Sequence, residues 1–136
     1  MNIFPKLKGS WAKTNLDEDS RKTGLDFSIP EVCQNWINKL CSEKKVSYIY
    51  GGYLEDRTHL WKNKESESAN SLIHLGIDYS VPAGTEVAMP EDGEVFHIMN
   101  DPTNTIGWGG RIIFKLDNGK YLVYGHLKQN INLKIG

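Results

Sequence analysis

Apolar residues recur at helical spacing from Pro30 to Lys44, where Cys33, Trp36, Ile37, Leu40 and Cys41 fall on one face. Ser28, Pro30 and Glu31 are start signals, and Lys44 with Lys45 sets positive charge at the C-terminal end, where it suits the helix dipole. The spacing predicts an amphipathic helix whose stripe packs into a core. Beyond it the pattern shortens. Val46 to Tyr50 is β-branched and aromatic and is broken by Gly51-Gly52, which predicts a strand and then a loop. That loop holds Glu55-Asp56-Arg57 and the polar run Lys62 to Ser71, without apolar period, and could flank a substrate groove.

Dense turn chemistry follows. Pro82-Ala83-Gly84 and Pro90-Glu91-Asp92-Gly93 bound an expected strand from Thr85 to Met89, and Glu94 to Met99 reads as another. Asp101 to Gly110 reads as a loop, and the strands Arg111 to Leu116 and Tyr121 to Leu127 flank Asn118-Gly119, a strong hairpin signal. Residues 1–27 carry Pro5, Gly9 and Gly24 among scattered charges and read as an arm, surface-bound or partly disordered. The expectation is a mainly β, antiparallel chain with one N-terminal amphipathic helix: arm and helix over 1–45, a β domain over 46–136.

Composition narrows the partners. The chain has 136 residues, 39% hydrophobic, enough for one domain with a core. Sixteen basic residues against seventeen acidic ones give a net charge of -1, with no basic stripe to track a phosphate backbone, so nucleic acid is not an expected partner. Met1 to Ser20 has no apolar run long enough for a signal peptide or a membrane span. The compartment is therefore not set by any visible signal. Cys33 and Cys41, eight apart in the helical stretch, would stand about 12 Å apart along the axis and read as separate buried thiols.

The chemistry concentrates at His74-Leu75-Gly76-Ile77-Asp78. A zinc ion bound by imidazole nitrogen and carboxylate oxygen at about 2.0 to 2.2 Å requires those donors within roughly 4 Å of each other. On a straight strand residues four apart stand about 13 Å apart. Gly76 resolves this by letting the chain bend between them, so His74 and Asp78 are expected to converge as half of a metal site. Of the other histidines, at 59, 97 and 126, His97 reads as an outward-facing strand residue, and His126, beside Gly125 at a strand end, is placed to face a cleft.

The order of these pieces carries a resemblance. His74-Leu75-Gly76-Ile77-Asp78, then Val81-Pro82-Ala83-Gly84-Thr85-Glu86-Val87, Glu91-Asp92-Gly93-Glu94-Val95, Gly109-Gly110 and Tyr124-Gly125-His126-Leu127 resemble the M23 peptidases over about residues 72–136. These are the lysostaphin- and LytM-like zinc endopeptidases that cut peptidoglycan cross-bridges. The resemblance implies a β-sandwich-like domain of the duplicated hybrid motif type, with His74 and Asp78 as zinc ligands. It implies that His126 acts on the activated water or the transition state. The family also needs a later His-x-His that supplies the third ligand, and no histidine follows His126. The domain therefore reads as incomplete, its zinc weakly held, and the fragment inactive on peptide or peptidoglycan.

Two other readings share these residues. A domain of the same fold without the full ligand set could bind peptide or glycan, or regulate a partner, though the trio His74, Asp78 and His126 would then have no chemical reason to be kept. The segment Leu72 to Asp78 also resembles the phosphohistidine segment of glucose-type IIA carriers, with His59 upstream. The surroundings of His59, Arg57-Thr58-His59-Leu60-Trp61, do not resemble the carrier's motif. Finally, a two-residue type I′ loop at Asn118-Gly119 would pair Leu116 with Tyr121, Phe114 with Val123, Ile113 with Tyr124 and Arg111 with His126, setting the guanidinium where it disfavours the imidazolium.

Overall fold

The computed structural model describes residues 2–61, 72–102 and 108–136. The polar run from Lys62 to Ser71 and residues 103–107 of the expected Asp101 to Gly110 loop lie outside the described residues. The chain forms two compact units, Leu7–Ala83, and Met1–Lys6 together with Gly84–Gly136. Each is built around one three-stranded sheet, accompanied in the first by helices.

In Leu7–Ala83 the order is β1 (Trp11–Thr14), α1 (Leu16–Thr23), α2 (Pro30–Lys44), β2 (Tyr48–Gly51), α3 (Thr58–Trp61) and β3 (Asp78–Ser80). β2 is central, antiparallel to β3 but parallel to β1, so this sheet is mixed and not antiparallel throughout. A parallel neighbour requires a long crossover, and α1 with α2 supplies it. Residues 11–23, expected within an arm, therefore form a strand and a helix. Asn15 starts α1 by accepting the Glu18 N–H at 3.1 Å, and Gly24, left-handed at φ 69°, ends it by donating to the Ser20 carbonyl at 2.9 Å.

The helix α2 has the bounds its spacing suggests. Pro30 opens it, but Ser28 does not cap it: its N–H and hydroxyl both turn to Asp26 Oδ1, and Ile29 holds the cap position. Leu40 is buried on this helix, while Val32, Cys33, Trp36, Ile37 and Cys41 are partly covered. Trp36 stacks on Phe27 at 6.2 Å, and its indole N–H reaches Asp19 Oδ2, which also takes the Thr14 hydroxyl. Ile49, in the middle strand, is 1% exposed and marks the core. Alternation in β2 and β3 sends Tyr50 and Tyr79 to one face, joined by Trp11 and Tyr48 in a ring cluster, and Ile49, Gly51 and Asp78 to the other.

The second unit is a meander of β4 (Gly93–Met99), β5 (Gly110–Leu116) and β6 (Tyr121–Leu127), with Ile112 and Phe114 buried. Two expectations change here. Thr85 to Met89 is not a strand: Ala88 bonds to the Ile3 carbonyl through its N–H and to the Tyr124 hydroxyl through its carbonyl, and no ladder extends from these. The hairpin register is also shifted by one residue. Gly119 alone takes positive φ, 79°, whereas a type I′ turn would need Asn118 there too. The loop is instead three residues long, with Gly119 N–H on the Leu116 carbonyl at 2.9 Å and Leu116 N–H on the Lys120 carbonyl at 2.8 Å. Phe114 consequently faces Leu122, Ile113 faces Val123 and Ile112 faces Tyr124, and a bulge between Gly110 and Ile112 absorbs the difference.

Candidate metal centre

The turn after β2 builds the site. Gly52 is left-handed at φ 97° and Leu54 at φ 58°, which folds the chain back so that Glu55 N–H meets the Gly52 carbonyl at 3.1 Å. Residues 54–57 then run antiparallel to 72–74: Leu54 N–H to His74 O at 2.8 Å, His74 N–H to Glu55 O at 2.9 Å, and Arg57 N–H to Leu72 O at 2.6 Å. After a bend at Gly76 the chain enters β3, where Asp78 pairs with Gly51. Backbone pairing on both sides thus returns Asp78 toward His74.

The two side chains meet, with His74 Nε2 3.5 Å from Asp78 Oδ1. His74 Nδ1 lies 2.9 Å from the Gly52 carbonyl, which can only accept, so Nδ1 carries a proton and, in the neutral ring, Nε2 is the nitrogen left to present a lone pair. That is the tautomer a metal-binding imidazole needs, with its other nitrogen held by a backbone carbonyl. The 3.5 Å gap also suits two ligands of one ion. Among the described residues no group of three or more His, Cys, Asp or Glu stands where it could hold a metal.

Behind the pair lies a buried charge cluster that sequence reasoning passed over. Arg57 Nη2 donates to Asp78 Oδ2 at 2.8 Å and stands 2.9 Å from Glu55 Oε2, with the Arg57 and Glu55 side chains only 8% and 4% exposed. Glu55 Oε1 accepts the Leu16 N–H at 3.2 Å. The pairing explains how an arginine and a glutamate, rarely buried alone, are tolerated together. A Cβ on Gly52 would stand within 3 Å of Arg57 Nη2, His74 Nδ1 and Asp78 Oδ2, so only glycine leaves room for all three. In the sequence Gly52 reads merely as a strand breaker. Cys33 feels the same cluster: burial pushes its thiol up from the ordinary value, Arg57 pulls it back, and Asp78 adds to the rise.

His126 belongs to the other unit. It is exposed, at φ 57°, donates its N–H to the Trp108 carbonyl at 2.8 Å, and lies parallel to the Trp108 ring at 5.8 Å. Trp108 covers Gly125 so closely that a Cβ there would sit 2.8 Å from the ring. Arg111 is not the cross-strand partner of His126 as expected. The bulge takes it out of register, and its guanidinium lies over Trp108 at 4.9 Å with Nη2 on Met99 Sδ. His97 is exposed on β4. His59 falls in α3, and the charged Arg57 beside it, read only as part of a loop, is the residue that reaches the site. Compared with protein-family models, with characterised proteins and with solved structures, the chain matches none of them.

Proposed function

We propose that this chain carries two of the zinc ligands of an M23-type endopeptidase centre, His74 and Asp78, a centre whose chemistry is hydrolysis of peptide bonds in substrates such as peptidoglycan cross-bridges, and that the chain as it stands is inactive because the third ligand is missing from it. The observation that carries the reading is the 3.5 Å approach of His74 Nε2 to Asp78 Oδ1, with Nδ1 committed to the Gly52 carbonyl. A zinc ion there would polarise a scissile carbonyl and lower the pKa of bound water to about 7. The protein's part is to fix the imidazole tautomer and hold the carboxylate beside it. The role the resemblance assigns to His126, acting on the activated water or the transition state, belongs to the same proposal. The M23 duplicated hybrid motif and its sandwich-like sheet belong to the same proposal.

A phosphohistidine carrier fits the geometry less well. A phosphoryl group on Nε2 would be pressed against the Asp78 carboxylate, whereas a cation at the same point is stabilised by it. One guanidinium among two carboxylates also leaves the cluster acidic, which suits a cation.

With two ligands among the described residues where catalytic zinc sites use three, zinc binding is expected to be weak. Zinc titration followed by the ring ¹⁵N signals of His74 should move Nε2 and leave Nδ1 protonated, and Asp78→Ala should abolish the response. An Nε2 signal that ignores zinc overturns the reading. The chain is expected not to cleave a cross-bridge peptide, and zinc-dependent cleavage would show that a further ligand completes the centre.

A further inference from the structure

We infer that Arg57 is the positioning residue of this centre: by holding Oδ2 of Asp78 it leaves Oδ1 as the single oxygen turned to His74, making Asp78 a one-oxygen ligand. The inference rests on the proposed zinc reading for its metal and on geometry for the rest.

The Asp78 side chain is 42% exposed and has room to turn, so its orientation needs a cause. Arg57 supplies one, because the charge-assisted bond from Nη2 to Oδ2 at 2.8 Å fixes which oxygen remains for the ligand side. Arg57 is itself fixed. Its backbone N–H is bonded to Leu72, its guanidinium is buried against Glu55, and Glu55 is tied to the start of α1 through the Leu16 N–H. Gly52 leaves the room this arrangement needs, since a Cβ there would stand within 3 Å of Arg57, His74 and Asp78 at once.

Two effects of Arg57 on a metal oppose each other. Its positive charge repels a cation, and its hydrogen bond orients the ligand. The buried Glu55 carboxylate, 2.9 Å from the same Nη2, offsets the charge and leaves the orienting effect dominant. The consequence is selectivity. Zinc accepts one carboxylate oxygen in a four-coordinate site, whereas calcium collects six to eight oxygens and gains from bidentate carboxylates. With Oδ2 occupied, Asp78 is suited to zinc.

The test uses two readouts on the full chain, three-bond couplings to Asp78 Cγ, which report its χ1 rotamer without any metal, and zinc and calcium titrations followed at His74 Nε2. The wild-type chain should show one Asp78 rotamer and respond to zinc but not to calcium. Arg57→Gln should average the couplings and weaken zinc about 10-fold to 100-fold, the usual loss when a partner behind a ligand is removed. Arg57→Lys, which keeps charge but not the planar fork, should fall between. Because Arg57→Gln strands Glu55, the double variant Glu55→Gln/Arg57→Gln, free of both charges, is measured alongside and should behave as Arg57→Gln does. Unchanged couplings in the folded variants overturn the positioning role, and averaged couplings with unchanged zinc affinity overturn its link to the metal. If the wild-type Nε2 ignores zinc while the couplings respond to Arg57→Gln, the zinc reading falls and the positioning of Asp78 stands.

Discussion

Gly52 shows how much of the centre depends on one missing side chain. Its φ of 97° is open to glycine at little cost, and its carbonyl is shared by the Glu55 N–H and the His74 ring. Gly52→Ala would introduce backbone strain and three contacts under 3 Å with Arg57, His74 and Asp78. Its expected cost is about 2 to 4 kcal/mol in denaturant melts, with loss of the zinc response proposed for His74. A near-neutral Gly52→Ala would mean that the three side chains do not converge on this residue. Cys33 offers a gentler probe of the same region. Burial raises its thiol, so less thiolate is present at pH 8 than in a free cysteine, and labelling with iodoacetamide should be slower in the native protein than in urea. Equal rates would place Cys33 outside the covered face of α2.

At the scale of elements, what was legible in the sequence was what is local. The helix α2 follows from apolar spacing together with Pro30 and Glu31 at its start and Lys44 at its end, and β4, β5 and β6 follow from short β-rich runs between turn residues. Strand β1 has no such signature: Trp11-Ala12-Lys13-Thr14 becomes a strand because β2 lies beside it, a partner far along the chain. For α1 the local signals did exist, in Asn15 and Gly24, but its helical interior is charged and shows no apolar period. The approach of His74 and Asp78 was readable from their spacing around Gly76, whereas the burial of Glu55 and Arg57 was not, because burial of a charged side chain is decided by tertiary pairing. The hairpin failed for a subtler reason. Asn-Gly is compatible with both a two-residue and a three-residue loop, and one residue of difference moves every pair. Cross-strand NOEs should therefore link Ile113 with Val123 and Ile112 with Tyr124, and contacts of Phe114 with Val123 would restore the tighter turn. Gly119→Ala, forcing alanine to φ 79°, should cost about 1 kcal/mol.

At the scale of the molecule, the division into units does not follow chain order, since Met1–Lys6 belongs with Gly84–Gly136 while Leu7–Ala83 forms a unit of its own. The bonds that attach the N-terminal residues are specific: the Ile3 carbonyl takes the Ala88 N–H at 2.8 Å, Lys6 pairs with Glu86 at 2.7 Å, and Phe4 is 8% exposed. The Lys6–Glu86 pair is open to solvent and contributes little, so burial of Phe4 dominates the attachment. Truncating a buried phenylalanine costs about 3 kcal/mol or more. In a chain whose two units open independently, that loss should fall on one of them. Phe4→Ala is therefore expected to speed amide exchange in β4, β5 and β6 by about 100-fold, the factor that 3 kcal/mol implies, while the amides of β2 and β3 keep wild-type rates. Hydrogen exchange read residue by residue distinguishes the outcomes. Equal acceleration in β2 and β6 would show that the sheets open together, and acceleration confined to β2 would assign Phe4 to the unit that holds His74 and Asp78.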